Sequence, residues 1–137
     1  RYLDGAPIAP AFATADLGYV SGGALHVTGR RDDVIITGGE NVHPSAIEAV
    51  LAATPGVRDA CVFGLRDERW GQVVGAAIVV DETFDARAAA AHWHGALPAH
   101  ARPRQLTICA RLPLLPSGKI DRRSASALPG SAVRYAT

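Results

Sequence analysis

Gln72-Val73-Val74-Gly75-Ala76-Ala77-Ile78-Val79-Val80-Asp81 is a β-rich stretch of this 137-residue chain, and Ile78-Val79-Val80 is the most buried-looking run. The alanine-rich segment Phe84–Leu97 follows it, reads as a helix and is closed by Pro98. Leu106–Ala110 predicts another strand. Two strands joined by a helical crossover become parallel neighbours. Val57–Leu65 is also β-rich and reaches Gln72 through the polar loop Arg66–Gly71. The expected class is therefore α+β. It consists of a small three-stranded mixed sheet with flanking helices, preceded by an N-terminal β-hairpin.

Upstream, Pro44 stands where a first helical turn should start, with Glu48 near the positive end of the helix dipole. Ile47, Val50 and Leu51 recur at helical spacing, and Pro55-Gly56 stops the element. Ala24–Thr28 and Val34–Thr37 read as the two strands of the hairpin, around the charged break Gly29–Asp33. Residues 1–23 read as loop and turn, with one short apolar stretch at Leu17–Val20. Downstream, Pro113–Gly118 is a loop, and Arg122–Leu128 a short helix ending at Pro129-Gly130. No internal repeat is visible.

Apolar residues make up 48% and charged ones 20%, an ordinary globular composition with one domain's worth of length. No apolar run approaches a membrane span, no charged-then-apolar leader opens the chain, and Cys61 and Cys109 are too few for a disulfide framework. A reduced, cytoplasmic protein is expected. The absence of any CxxC pair leaves no expected metal site. The net charge of +1 argues against nucleic acid as a partner. Its distribution is uneven: residues 1–100 carry seven arginines against twelve acids, whereas residues 101–123 carry six basic groups against Asp121 alone. Thirteen of the fourteen basic residues are arginine, and the one lysine is Lys119, within Pro116-Ser117-Gly118-Lys119.

Pro113 and Ile120 stand where a phosphate-binding P-loop needs glycine and Ser or Thr, so that reading fails. What remains is a lysine on a glycine-hinged loop, either a solvated turn or a cation that swings onto phosphate oxygens. Gly38-Gly39 allows close approach of a ligand or simply a tight turn. Trp70 either caps the edge of the core or stacks on a planar ring. Arg30-Arg31-Asp32-Asp33 alone is a polar turn. His92 and His94 face opposite sides of a helix and read as surface residues.

Read in order, Ala13-Thr14-Ala15-Asp16-Leu17-Gly18, Gly29-Arg30-Arg31-Asp32-Asp33-Val34-Ile35-Ile36, Gly38-Gly39-Glu40-Asn41-Val42-His43-Pro44, Ile47-Glu48, and Leu112-Pro113 through Gly118-Lys119-Ile120-Asp121-Arg122 resemble the closing motifs of adenylate-forming enzymes. That superfamily includes acyl- and aryl-CoA ligases, peptide-synthetase adenylation domains and luciferases. The resemblance spans residues 13 to 128 in family order. It implies two steps: a carboxylate and ATP give an acyl-adenylate and pyrophosphate, and a thiol then takes the acyl group. It also implies a large N-terminal domain that binds the acid and most of ATP, and a small lid that rotates between steps. Residues 1–31 would be the tail of the large domain and 32–137 the lid. Such a lid alone is expected to be inactive.

Residue by residue, the resemblance makes Asp16 the acceptor for the ribose hydroxyls, with Ala15 standing where the family has glycine. It makes Arg30 a nucleotide contact, Asp32 the hinge and Lys119 the catalytic lysine of adenylation. Gly38, Gly39 and Glu40 would line the pantetheine channel, and Trp70 and Arg102 would hold the CoA nucleotide as in the aryl-CoA ligase branch. ATP and CoA are the expected cosubstrates, with Mg2+ accompanying ATP and no ligands for it in this stretch. Ala13–Thr28 is further similar to 2-succinylbenzoate–CoA ligases of menaquinone synthesis. Two alternatives remain. One is an adenylation domain that loads a carrier protein; the other is a stand-alone, non-catalytic module that binds a nucleotide or a partner protein.

Overall fold

A tight turn and two short pairings organise the first half of the chain. The computed structural model describes residues 16–21, 24–30 and 33–135, the first two segments by their backbone. Strand β1 (Asp16–Ser21) pairs antiparallel with β2 (Ala24–Arg30), and Asp16 lies opposite Arg30. Strand β3 (Ile35–Thr37) pairs with β4 (Glu40–Val42) across Gly38 and Gly39, whose φ values are 57° and 85°. Successive positive φ angles twist a two-residue turn in the sense that strands twist, and glycine adopts them without strain.

These pairings correct the expected hairpin. Ala24–Thr28 and Val34–Thr37 belong to different sheets, each strand taking the partner two residues away in sequence. A two-residue glycine link closes more readily than the five-residue charged break between them. Leu17–Val20, expected within a loop, is part of β1.

The main sheet is mixed, as expected, but has six strands rather than three. Strand β5 (Val57–Asp67) runs antiparallel along β6 (Gly71–Val80). The other edge of β6 takes β3 at Gly71 and, further along, the parallel strand β7 (Gln105–Ile108). Strand β8 (Ser131–Ala132) closes the far side of β7. Of the three additional strands, β3 is the segment expected in the hairpin, while β4 and β8 have only three and two residues, too few to show a periodicity of two.

Helices cover both faces. Helix α1 (Pro44–Ala52) and α2 (Ala86–Ala96) bury Ile47, Leu51 and Trp93 against Val62, Val74, Ala76 and Ile78. On the opposite face, α3 (Arg122–Ser126) brings Ala125 against Cys61, Phe63 and Ala77. Adjacent residues of a strand point to opposite faces, so Cys61 and Val62 serve different cores. Burial on both sides is why β5 and β6 read as continuous apolar runs. The Trp93 Nε1 donates to Thr54 Oγ1 (2.8 Å), which in turn donates to the Val50 carbonyl (3.1 Å), so the indole fills the core with its polar atom satisfied. Truncation of such a side chain to alanine typically costs about 3–5 kcal/mol.

Helix boundaries follow their caps. Asp85 accepts hydrogen bonds from the amides of Arg87 and Ala88, so α2 starts after Phe84 rather than at it. Glu48 lies outside the first turn of α1, which contains no acidic residue. Its carboxylate faces β5 instead and accepts from the Val62 amide at 2.8 Å. Helix α3 ends at Ser126, two residues before Leu128.

Candidate functional site

The Gly38–Gly39 turn and the Arg66–Gly71 loop form one corner. The Gly38 amide donates to the Trp70 carbonyl at 2.9 Å, and Thr37 pairs with Gly71 beside it. The amides of Arg69 and Trp70 both donate to Asp67 Oδ1 (2.8 and 2.9 Å), which folds the loop. Gln72 Oε1 accepts from the Ile36 amide at 2.9 Å and ties β3 to β6.

The Trp70 ring lies so close to Gly38 that a Cβ there would sit 2.9 Å from its Cε3, while a Cβ on Gly39 would meet nothing within 4 Å. Gly38 is therefore required by the indole as well as by the turn, whereas the outer side of Gly39 is open. Trp70 keeps 38% of its surface exposed, with the Arg69 guanidinium 4.9 Å from the ring centroid. Glu40 and Asn41 are exposed at the entrance to β4. The corner thus combines bare backbone, an aromatic surface and a cation.

Lys119 occupies a finger. The Leu115 amide donates to the Lys119 carbonyl (2.7 Å), the Asp121 amide donates to the Pro113 carbonyl (2.9 Å), and Leu114 bridges Ile120. Gly118, at φ 91°, makes the bend. The tip is open to solvent: Leu114 and Leu115 are exposed, and the Lys119 side chain has no hydrogen bond or ion pair with any described residue.

The base of the finger is anchored. Asp121 caps α3, accepting from the amide and hydroxyl of Ser124, and these hydrogen bonds hold its carboxyl below the usual range. The next residue, Arg122, donates through Nη1 to Glu48 Oε2 and to the Val62 carbonyl (2.7 Å), while its Nε lies 3.5 Å from Asp33 Oδ2. Glu48 and Arg122 together satisfy the outward amide and carbonyl of Val62 on edge strand β5. Burial works against the Arg122 charge, but Glu48 outweighs it and holds the guanidinium above its ordinary pKa. Glu48 and Arg122 stand 74 residues apart, and no local pattern links them; only the neighbouring motifs Ile47-Glu48 and Lys119–Arg122 mark the two stretches.

Arg102 is elsewhere engaged. Its Nε donates to the Leu97 carbonyl (3.0 Å) and its Nη2 to the His94 carbonyl (2.8 Å), holding the C-terminal end of α2. Asp16 and Arg30 are brought opposite each other in backbone register, and their side chains lie outside the described residues, as does Asp32. His92 and His94 are exposed. A concavity of about 1030 Å³ between α2 and residues 129–135 is lined by Trp93, Leu106, Ile108 and Tyr135 and includes none of the predicted site residues.

A family model described as the AMP-binding enzyme C-terminal domain matches residues 46–119. The chain is 43% identical over 112 residues to 2-succinylbenzoate–CoA ligase of Listeria monocytogenes serotype 4b (strain F2365), covering 81% of this chain and 24% of the relative. It is 40% identical over 132 residues to 4-chlorobenzoate–CoA ligase of Pseudomonas sp. (strain CBS-3), covering 84% and 24%. Among solved structures, o-succinylbenzoate CoA synthetase from Bacillus subtilis in complex with its acyl-adenylate intermediate superimposes with a TM-score of 0.77 at 34% identity, covering 85% of this chain and 24% of that one. The chain therefore spans about a quarter of the length of these relatives. It belongs to the AMP-binding enzyme C-terminal domain family.

Proposed function

We propose that this chain is the lid of a larger AMP-forming carboxylate–CoA ligase. Residues 1–31 end its large domain and residues 32–137 form the lid itself. The overall reaction joins a carboxylate and ATP to give acyl-AMP and pyrophosphate, then transfers the acyl group to the thiol of CoA with release of AMP. The observation that carries this reading is Lys119, a side chain with no described partner at the tip of a finger whose base is tied down. An ammonium held ready for charge that develops on phosphate oxygens lowers the barrier without reorganising at the moment of reaction.

The second half-reaction falls to the Gly38–Trp70 corner. Open backbone at Gly39 suits the narrow pantetheine arm, and the exposed indole with Arg69 suits an adenine and its phosphates. Glu40 lines the same channel. Arg102 adds a cation to the CoA side, its fork having donors beyond the two held by α2. Asp16 and Arg30 take the nucleotide, and Asp32 is the hinge on which the lid turns. Mg2+ would arrive with ATP. The reading implies a cytoplasmic enzyme, and no helix among the described residues is long and apolar enough to cross a membrane.

The acid proposed is 2-succinylbenzoate, the substrate named for the Listeria relative, which would make this a step of menaquinone synthesis. The test is pyrophosphate release and loss of free CoA thiol by the full-length protein. The acids offered are 2-succinylbenzoate, 4-chlorobenzoate and a long-chain fatty acid. Pyrophosphate release with thiol loss on 2-succinylbenzoate is expected. Release on another acid alone would overturn the substrate. Release without thiol loss would mean a carrier-protein acceptor, and no release with any acid would favour a non-catalytic module.

A further inference from the structure

We infer that Arg122 is a positioning residue for Lys119: its guanidinium ties Asp33, the residue after the hinge, to the base of the lysine finger. The inference rests on the proposed roles of Asp32 and Lys119 and names the device that connects them. From Pro113 to Asp121 the finger is closed by its own hydrogen bonds, so its direction is set at its two ends, where Leu112 is buried in the core and where Asp121 enters α3. Arg122 is the first residue of that helix and bonds three segments remote in sequence: Glu48 on α1, Val62 on β5 and Asp33.

Each arm of the guanidinium has a separate task. Nη1 fixes α3 to the edge of the sheet, whereas Nε reaches Asp33 at 3.5 Å. Between residues 33–34 and α3 lies a cleft of about 210 Å³, bordered by Asp33, Gln72, Arg122 and Ser126. Val34 and Phe63 also line this cleft, and the ion pair is the contact that crosses it from Asp33 to the finger's base. Both side chains are little more than a quarter exposed, at 28% for Asp33 and 29% for Arg122, so water screens the pair only in part. A lid rotating about residue 32 would then carry the finger with it as one body, and cutting the bridge would let the lysine drift from its target. A misplacement of about 1 Å can cost up to roughly 10²-fold in rate.

The test compares Asp33→Ala, Arg122→Lys and the double variant in the full-length protein, with Lys119→Ala as reference. Asp33→Ala should slow single-turnover acyl-adenylate formation about tenfold, leaving KM for ATP, Tm and thioester formation from supplied acyl-adenylate unchanged. Arg122→Lys replaces the fork by a point charge that cannot serve both arms. The double variant should adenylate no more slowly than Arg122→Lys alone, because both remove one bridge. Unchanged adenylation in Asp33→Ala, or losses in both half-reactions that track Tm, would overturn the inference while leaving the lysine assignment standing. If Lys119→Ala itself adenylates normally, the lysine assignment falls and this inference falls with it.

Discussion

The Gly38–Trp70 corner and the Lys119 finger are built on opposite plans. In the corner the framework is bonded: the Gly38 amide meets the Trp70 carbonyl, Asp67 holds the loop, Gln72 holds β3, and the indole rests on Gly38. In the finger the backbone is closed by its own hydrogen bonds and the base is tied to the sheet, but the tip projects a charged side chain with no described partner. On the proposed reading the corner receives a chain-like ligand and so must exist before the ligand arrives, whereas the lysine acts on a distant reacting group and must be carried there. Substitutions in the corner should therefore disturb stability and binding together, whereas those at the fingertip should change rate alone.

Lys119→Ala should break the comparison most visibly. An exposed side chain without a described partner contributes little to folding, so Tm should stay within about 1 °C of wild type. Acyl-adenylate formation should nevertheless fall by on the order of 10²-fold, the scale of losing one preorganised charge donor. Thioester formation from supplied acyl-adenylate should survive. Rapid-quench assays of the two half-reactions, with melting curves, decide it; equal losses in both steps would show that the fingertip is structural after all.

Trp70→Ala examines the other plan and should show both signatures. Loss of a base-stacking surface is worth about 1–3 kcal/mol, or roughly tenfold and upward in KM for CoA. The same change removes the packing that steadies the Gly38 turn, so Tm should drop by a few degrees, on the order of 1 kcal/mol for a domain of this size. A Tm drop with an unchanged CoA KM would leave the indole a cap and nothing more. Arg102→Ala sharpens the point, because Arg102 already holds the Leu97 and His94 carbonyls. It should lower Tm by an amount comparable to about 1 kcal/mol and, as a CoA contact, raise KM for CoA about tenfold; a Tm change alone would confine it to the end of α2.

The two plans also differed in how far the sequence revealed them. The α+β class, the parallel crossover from β6 to β7 and the helical coverage were legible, because long apolar runs and a proline-bounded alanine-rich segment carry their own periodicity. Lys119 stood out as the one lysine and Gly38-Gly39 as a dipeptide, and the structure shows the finger and the tight turn that hold them. The partners of β2 and β3 were misread, since two alternating segments near each other do not state which neighbour each takes, and each found a partner only two residues away in sequence. Glu48 was read as a dipole partner because a helix sequence shows its own axis but not the strand edge beside it. The Arg122 bridge to Glu48 and Asp33 was invisible for the same reason: it belongs to tertiary proximity alone.

The smallest expected effect concerns the base of the finger, which the comparison makes part of the core. Cys61 is fully buried on the α3 face of β5, with the Arg122 Nη1 3.8 Å from its sulfur. Burial pushes its thiol up to about 11, against the opposing pull of Arg122 and with a further push from Glu48. An acid whose folded pKa is raised stays protonated in the folded chain while the unfolded chain, at its ordinary 9.0, ionises. Its contribution is thus complete below pH 9 and is lost as pH rises toward about 11. By pH 10 the loss should be roughly 1 kcal/mol. Cys109, also raised by burial from 9.0, and Tyr135, raised by burial to about 12 from 10.0, act in the same direction, so it is the difference from Cys61→Ala that isolates the Cys61 thiol. Urea unfolding of this 137-residue chain at pH 8, 9 and 10, beside Cys61→Ala, reads the slope directly. The variant begins less stable, having lost a buried sulfur, but should lose distinctly less than wild type on going from pH 8 to 10. Parallel slopes would mean that water reaches Cys61, and that the base of the finger is as open as its tip.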